Sequence, residues 1–229
     1  MSLQITLEFL RELRENNSKE WFDAHRKHYD AARKAFEDLV ANLIAGFSAV
    51  DDLPPLDPKD AIHRINRDVR FSNDKSPYNT VMSALIGPEG RKSLGKAYYV
   101  RVAPDGESMA ASGAFALTDA ELFTVRQAIA EDARPLRNII DAPMFQQMFG
   151  GLTGEQVKTA PRGFAKDHPE IDLLRYKEFM AQRAFSDVVA TQADFPDQVI
   201  ATFQAAKPLT LYFHELLGVR IKPEMHKHS

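Results

Sequence analysis

The chain has 229 residues, 44% of them apolar and 27% charged, which is the composition of a globular protein and not of a disordered segment. It holds no cysteine, so disulfides, thiolate catalysis, iron–sulfur clusters and thiolate zinc sites are excluded. A formal charge of −3 argues against an extended nucleic-acid footprint, which needs a basic surplus.

Taken in order, Thr6 is placed to cap a helix with Leu7, Leu10 and Leu13 on one side. Asn17 and Glu20 form a capping-box pattern ahead of a long helix, expected from about residue 18 to 47. Its apolar stripe reads Phe22, His25, Tyr29, Ala32, Phe36, Leu39, Leu43 and Phe47, close to a 3.6-residue period. Pro54, Pro55 and Pro58 make residues 48–60 a linker. Residues 61–65, 81–86, 96–103 and 108–115 read as strands joined by short turns, the pattern of an antiparallel sheet.

Helices then return. Thr118 and Glu121 make a second capping box, heading a helix with Leu122, Val125 and Ile129 on one face. Pro135, Pro143 and Pro169 sit near the starts of three short helices, and residues 150–167 carry no period. Residues 179–185 read as one more strand, and Asp194 caps a last helix that Pro208 should kink or break and Gly218 should end. The order predicts an α+β fold: a central, mainly antiparallel sheet with a long N-terminal helix and C-terminal helices packed on it. One domain is expected over 1–222, with a helical arm at 6–47, a sheet at 61–115 and a mostly helical part at 118–218; residues 223–229 read as a loose tail.

The N-terminus lacks a secretory pattern, and the longest uncharged runs, 76–88 and 142–154, fall short of the roughly 18 apolar residues a spanning helix takes. A soluble, cytoplasmic chain without membrane contact is expected. No Gly-x-Gly occurs, so neither the dinucleotide fingerprint nor the P-loop is present, and no His-Glu-x-x-His exists. His25 and His28 share a helix face but lack a partnered carboxylate, so neither a metal nor a cofactor is expected. Ser72 and Lys75 fit Ser-x-x-Lys, yet Pro77 disfavours the helical turn that pattern needs.

Positive charge is concentrated in two stretches. Residues 64–80 hold Arg64, Arg67, Arg70 and Lys75 against Asp68 and Asp74. Residues 158–177 hold Lys158, Arg162, Lys166, Arg175 and Lys177 against Asp167, Glu170 and Asp172. In an extended segment Arg64, Asn66, Asp68 and Arg70 share one face, with Ile65, Val69 and Phe71 opposite. Guanidinium forks grip phosphate or carboxylate bidentately, and Asp68 can orient them. This is the anion-site reading: Arg64, Arg67, Arg70 and Lys75, with Arg162, Arg175 and Lys177 as a second wall. Asp68, Tyr78 and His168 are its candidates for proton transfer.

The same residues also suit a structural salt-bridge network in a non-catalytic interaction protein, whose long N-terminal helix would pair with a second copy. A third reading is local nucleic-acid binding through Phe71, Tyr78, Tyr98, Tyr99, Phe164 and Tyr176 beside the charges. Tyr98 and Tyr99 point to opposite faces at strand period, which weakens it.

Residues 64–80, together with Phe9-Leu10, Leu13, Asn16-Asn17, Lys19 and Trp21-Phe22, resemble a bacterial family of conserved hypothetical proteins, domain of unknown function 2461. Pro161-Arg162-Gly163-Phe164, Asp167-His168-Pro169, Leu173-Leu174-Arg175 and Lys177 carry the same resemblance, which extends from about residue 6 to 217. It implies one family-length domain and no particular reaction. Asn79 stands where the family pattern usually has Lys, and Ala110-Ala111 where a Gly pair is typical; the first removes a charge from the anion site.

Overall fold

A computed structural model describes residues 3–48, 55–70, 72–93 and 97–218. Among these residues, α1 (Gln4–Glu15), α2 (Lys19–Ala24), α3 (Arg26–Ser48) and α4 (Pro58–Ala61) precede three strands: β1 (Met82–Ile86), β2 (Tyr98–Val102) and β3 (Ser108–Ala114). Then follow α5 (Asp119–Glu131), α6 (Arg134–Ile140), α7 (Pro143–Phe149) and α8 (Ile171–Leu174), the strand β4 (Phe179–Phe185), α9 (Asp187–Ala190) and α10 (Phe195–Leu216). The strands form one antiparallel sheet in the order β1-β2-β3-β4, with long helices packed on it, so the fold is α+β as the element order implied. The expected tail at 223–229 lies outside the described residues.

The chain divides into two compact units: residues 1–92, 99–110 and 184–201, and residues 93–98, 111–183 and 202–229. In the first, α1 packs along α3. Leu7, Leu10 and Leu13 of α1 and Ala32, Phe36, Leu39, Leu43 and Phe47 of α3 are all buried, as the two periodic stripes required. Burying each Leu or Phe fully contributes about 1.5–3 kcal/mol. The second unit has its own core of Val125, Ile129, Leu136, Phe145, Leu173, Phe179 and Phe213. Phe213 of α10 meets Phe179 of β4 with ring centroids 5.5 Å apart. The capping box at Thr118 forms in both directions and heads α5.

Local details differ from the sequence reading where a tertiary partner outbids a local one. Thr6 does not cap α1, which starts at Gln4; its buried hydroxyl donates instead to Ala32 O of α3 at 3.0 Å. Ser18, not Asn17, caps α2, accepting from Trp21 N at 3.2 Å. Asn17 is engaged elsewhere: its side chain holds both backbone groups of Tyr78. The long helix turns at His25, where the ring donates to Trp21 O at 2.8 Å, and resumes as α3. Residues 61–65 are not a strand. Asp57 caps α4 with Pro58 at its first position, and only Ile62 bridges to Ala84. The helix expected at Pro169 opens two residues later, at Ile171, and α10 runs unbroken through Pro208.

β3 is buried along its whole length and, apart from Met109, made of small residues. At Gly113 (φ +135°) an added Cβ would stand 2.1 Å from Phe179 O, so the close approach of β3 to β4 needs glycine there.

Candidate functional site

The first unit carries a cleft of about 1210 Å³. Helix α3 supplies Tyr29, Arg33 and Glu37 at four-residue spacing, so all three lie on one helix face. Lys59 comes from α4, Val81 and Ser83 from β1 and the residue before it, Arg91 from the short turn after β1, and Tyr99 from β2. The floor is the extended segment 62–68, tied down by the antiparallel bridges Ile62–Ala84 and Asn66–Tyr78. Asn79 N donates to Ile65 O at 2.7 Å, and Arg67 N to Pro77 O at 2.9 Å. Alternation along this segment leaves Arg64, Asn66, Asp68 and Arg70 exposed while Ile65 is buried, the face assignment the sequence implied. Phe71 lies outside the described residues.

Five basic side chains (Arg33, Lys59, Arg64, Arg67, Arg91) and two carboxylates (Glu37, Asp68) line the cleft. Several of the cations are committed. Arg33 Nε donates to Glu37 at 2.9 Å, and its Nη1 to His63 O at 3.3 Å. Arg91 donates to Lys59 O at 2.9 Å. Arg67, 24% exposed, bonds Asp74 at 2.5 Å, Ser76 O at 3.2 Å and Ser72 Oγ at 3.5 Å, clasping the loop from within. Among the described residues, no hydrogen bond or ion pair holds the head groups of Arg64 and Lys59, both exposed.

The other residues singled out in 64–80 also serve the loop. Arg70 lies outside the cleft lining and pairs bidentately with Asp68, Nε to Oδ1 at 3.0 Å and Nη2 to Oδ2 at 2.7 Å. That hydrogen bond holds the Asp68 carboxyl below its ordinary pKa. Lys75 donates to Val69 O at 3.0 Å. Asp74 is held well below the carboxylate range, first by the Ser76 hydroxyl and backbone N–H and then by Arg67. Tyr78 is 6% exposed, stacks on Phe22 with centroids 4.0 Å apart, and does not line the cleft; burial raises its pKa.

His63 completes the cleft wall opposite Ser83, with Nδ1 3.2 Å from Ser83 Oγ. Burial is the largest influence on its ring and lowers the pKa; hydrogen bonding at Ser83 opposes this, and the Arg91 charge adds to the lowering. Among the described residues there is no cluster of three or more His, Asp or Glu that could hold a metal, and no helix long and apolar enough to cross a membrane.

Residues 5–212 match the family described as conserved hypothetical protein, DUF2461. The chain belongs to that family. No curated protein and no solved structure matches it.

In this DUF2461 chain the second basic stretch belongs to the second unit, and none of its residues lines the cleft. Lys177 pairs with Glu155 at 2.6 Å, and His168 Nδ1 accepts from Glu170 N at 3.1 Å. Arg162 is exposed, and Arg175 has its Nε buried without a hydrogen-bond partner. Asn79 sits in the cleft wall, its amide donating weakly to Arg64 O at 3.4 Å. Sequence reasoning missed His63, Ser83, Lys59, Arg33, Glu37, Arg91 and Tyr99 as cleft residues. The Tyr29–Arg33–Glu37 spacing was a usable signal; the pairing of Ile62 and His63 with β1 and of Asn66 with Tyr78 was not written in any local pattern.

Proposed function

We propose that the cleft of the first unit binds a small anionic ligand, a phosphate ester or a carboxylate. The observation that carries this reading is the surplus of three positive charges in one concave wall, with Arg64 and Lys59 presenting uncommitted cationic heads. Arg64 supplies the planar fork, and Lys59 supplies a mobile point charge from the neighbouring element. The volume exceeds what inorganic phosphate needs, so the anionic group is one part of a larger molecule. Arg67, Arg70 and Lys75 contribute field without contact, since their donors bond the loop itself.

The test is a thermal melt against phosphate, sulfate, carboxylates and sugar phosphates at fixed ionic strength. A ligand at 100 times its dissociation constant adds about 2.7 kcal/mol. At ~2–4 °C per kcal/mol for a chain of this size, Tm should rise by roughly 5–10 °C. Arg64→Ala should melt with the parent yet lose the rise. Arg67→Ala should melt lower even without ligand. No rise with any anion, or an undiminished rise in Arg64→Ala, refutes the reading.

A further inference from the structure

We propose that Ser83 and His63 are a nucleophile–base pair that hydrolyses a small carboxylic ester whose separate anionic group is held in the cleft; the substrate class rests on the anion reading above. The pair is built by strand register. Around the Ile62–Ala84 bridge, His63 lies across from Ser83, and His63 N donates to Ser83 O at 2.9 Å. The next backbone group, His63 O, accepts from Arg33 at 3.3 Å, so the ring's own main chain is fixed from both sides. That anchoring leaves the imidazole Nδ1 3.2 Å from Ser83 Oγ, within general-base reach, and both side chains line the cleft. Burial, and to a lesser degree the Arg91 charge, lower the pKa of the imidazole and so favour the neutral form a general base needs. Arg64, the group that holds the substrate's anion in this reading, and Asn66 have no side-chain hydrogen-bond partner among the described residues and line the same cleft.

The chemistry balances without a further reactant than water. Ser83 Oγ forms a bond to the ester carbonyl carbon while its proton passes to His63 Nδ1. The tetrahedral oxyanion collapses, the bond to the alkoxy oxygen breaks, and His63 returns the proton to the departing alcohol. Water then attacks the acyl-serine, gives a proton to His63, and Ser83 recovers it as the acid leaves.

The experiment treats the full chain with an alkyl fluorophosphonate, a neutral reagent that phosphonylates serines activated by a base, and locates the adduct by peptide mass spectrometry. Labelling at Ser83 alone is expected, absent in Ser83→Ala and slowed about 100-fold in His63→Gln. Inorganic phosphate should protect Ser83. Ser83→Ala, a small change on β1, should keep the phosphate-induced rise in Tm. If His63→Gln does not fold, parent and Ser83→Ala still decide the matter. No adduct on Ser83 while phosphate still raises Tm overturns the pair and leaves the anion reading standing. An adduct that phosphate does not protect keeps the pair and overturns the anionic substrate class. Equal labelling in a folded His63→Gln overturns the base role.

Discussion

Replacing Asn17 by alanine should unfasten the loop that folds back between Asn66 and Tyr78. Asn17 Nδ2 donates to Tyr78 O at 2.9 Å, and its Oδ1 accepts from Tyr78 N at 3.1 Å, across 61 positions of sequence. Each such bond is worth about 1 kcal/mol net, and a buried backbone group left without a partner costs about 1–3 kcal/mol. Tyr78 is 6% exposed, so water reaches its freed N–H and C=O poorly and the total is about 3 kcal/mol. That corresponds to a Tm lower by roughly 6–12 °C. Asn17→Asp should fall at least as far, because a carboxylate keeps the acceptor, loses the donor and faces the Tyr78 carbonyl. Asn16→Ala is the control: the Asn16 amide reaches only its own helix end, Glu12 O at 2.9 Å, and is exposed. Circular dichroism melts of the three variants decide the point. An Asn17→Ala Tm within ~2 °C of the parent would refute the reasoning.

Two further outcomes follow from the backbone and from the carboxylates. Gly113→Ala forces a Cβ to 2.1 Å from Phe179 O and should leave little folded protein, whereas Gly106→Ala, at φ +76° with nothing within 4 Å, should cost only about 1–2 kcal/mol; equal melting of the two variants would contradict the close-approach argument. Asp68, Asp74, Asp132 and Asp187 all have pKa values lowered from 3.8, Asp132 to about 2 by its hydrogen bonds with Arg134. Burial alone would raise Asp187; N–H donors from Gly106 and Asp105 and the Arg11 guanidinium outweigh it. Lowered carboxylates bind protons more weakly when folded, so their stabilisation is complete above about pH 4 and is lost as pH falls through the folded values. Melts taken downward from about pH 7 should decline gently first, because burial makes folded His63 harder to protonate than the unfolded chain, and more steeply below about pH 4, where Asp132→Asn should shallow the decline; a Tm unchanged at about pH 2 would refute it.

The four strands that form among the described residues were legible because their signals are local, whereas the strand expected at 61–65 is only a bridged extended segment. Tyr98, Val100 and Val102 alternate inward with Tyr99 and Arg101, and the run at β3 sits between turn residues. The amphipathic stripes of α1 and α3 were equally plain, since burial follows the helical period. What could not be read was expenditure. Arg64, Arg67 and Arg70 look alike in sequence, yet Arg67 is spent on Asp74 and Ser76, Arg70 on Asp68, and Arg64 on neither. Which one remains available depends on how the chain folds back between Asn66 and Tyr78. The same holds for Ser83 and His63, separated by 20 positions and joined only by register. Thr6 and Asn17 show the converse: good local caps whose side chains were taken by partners 26 and 61 residues away.

The turn between α2 and α3 gives the molecule a built-in optical probe. The chain has one tryptophan, so its indole emission comes from a single address. Trp21 stacks on His25 with centroids 4.1 Å apart and lies 6.0 Å from the Phe9 ring. Phe9 in turn meets Phe22, on which Tyr78 rests at the far end of the loop that starts at Asn66. Any event that shifts that loop, such as the loss of the Asn17 clasp, reaches the indole through three contiguous rings. Its emission maximum can therefore follow that loop in real time, without a label.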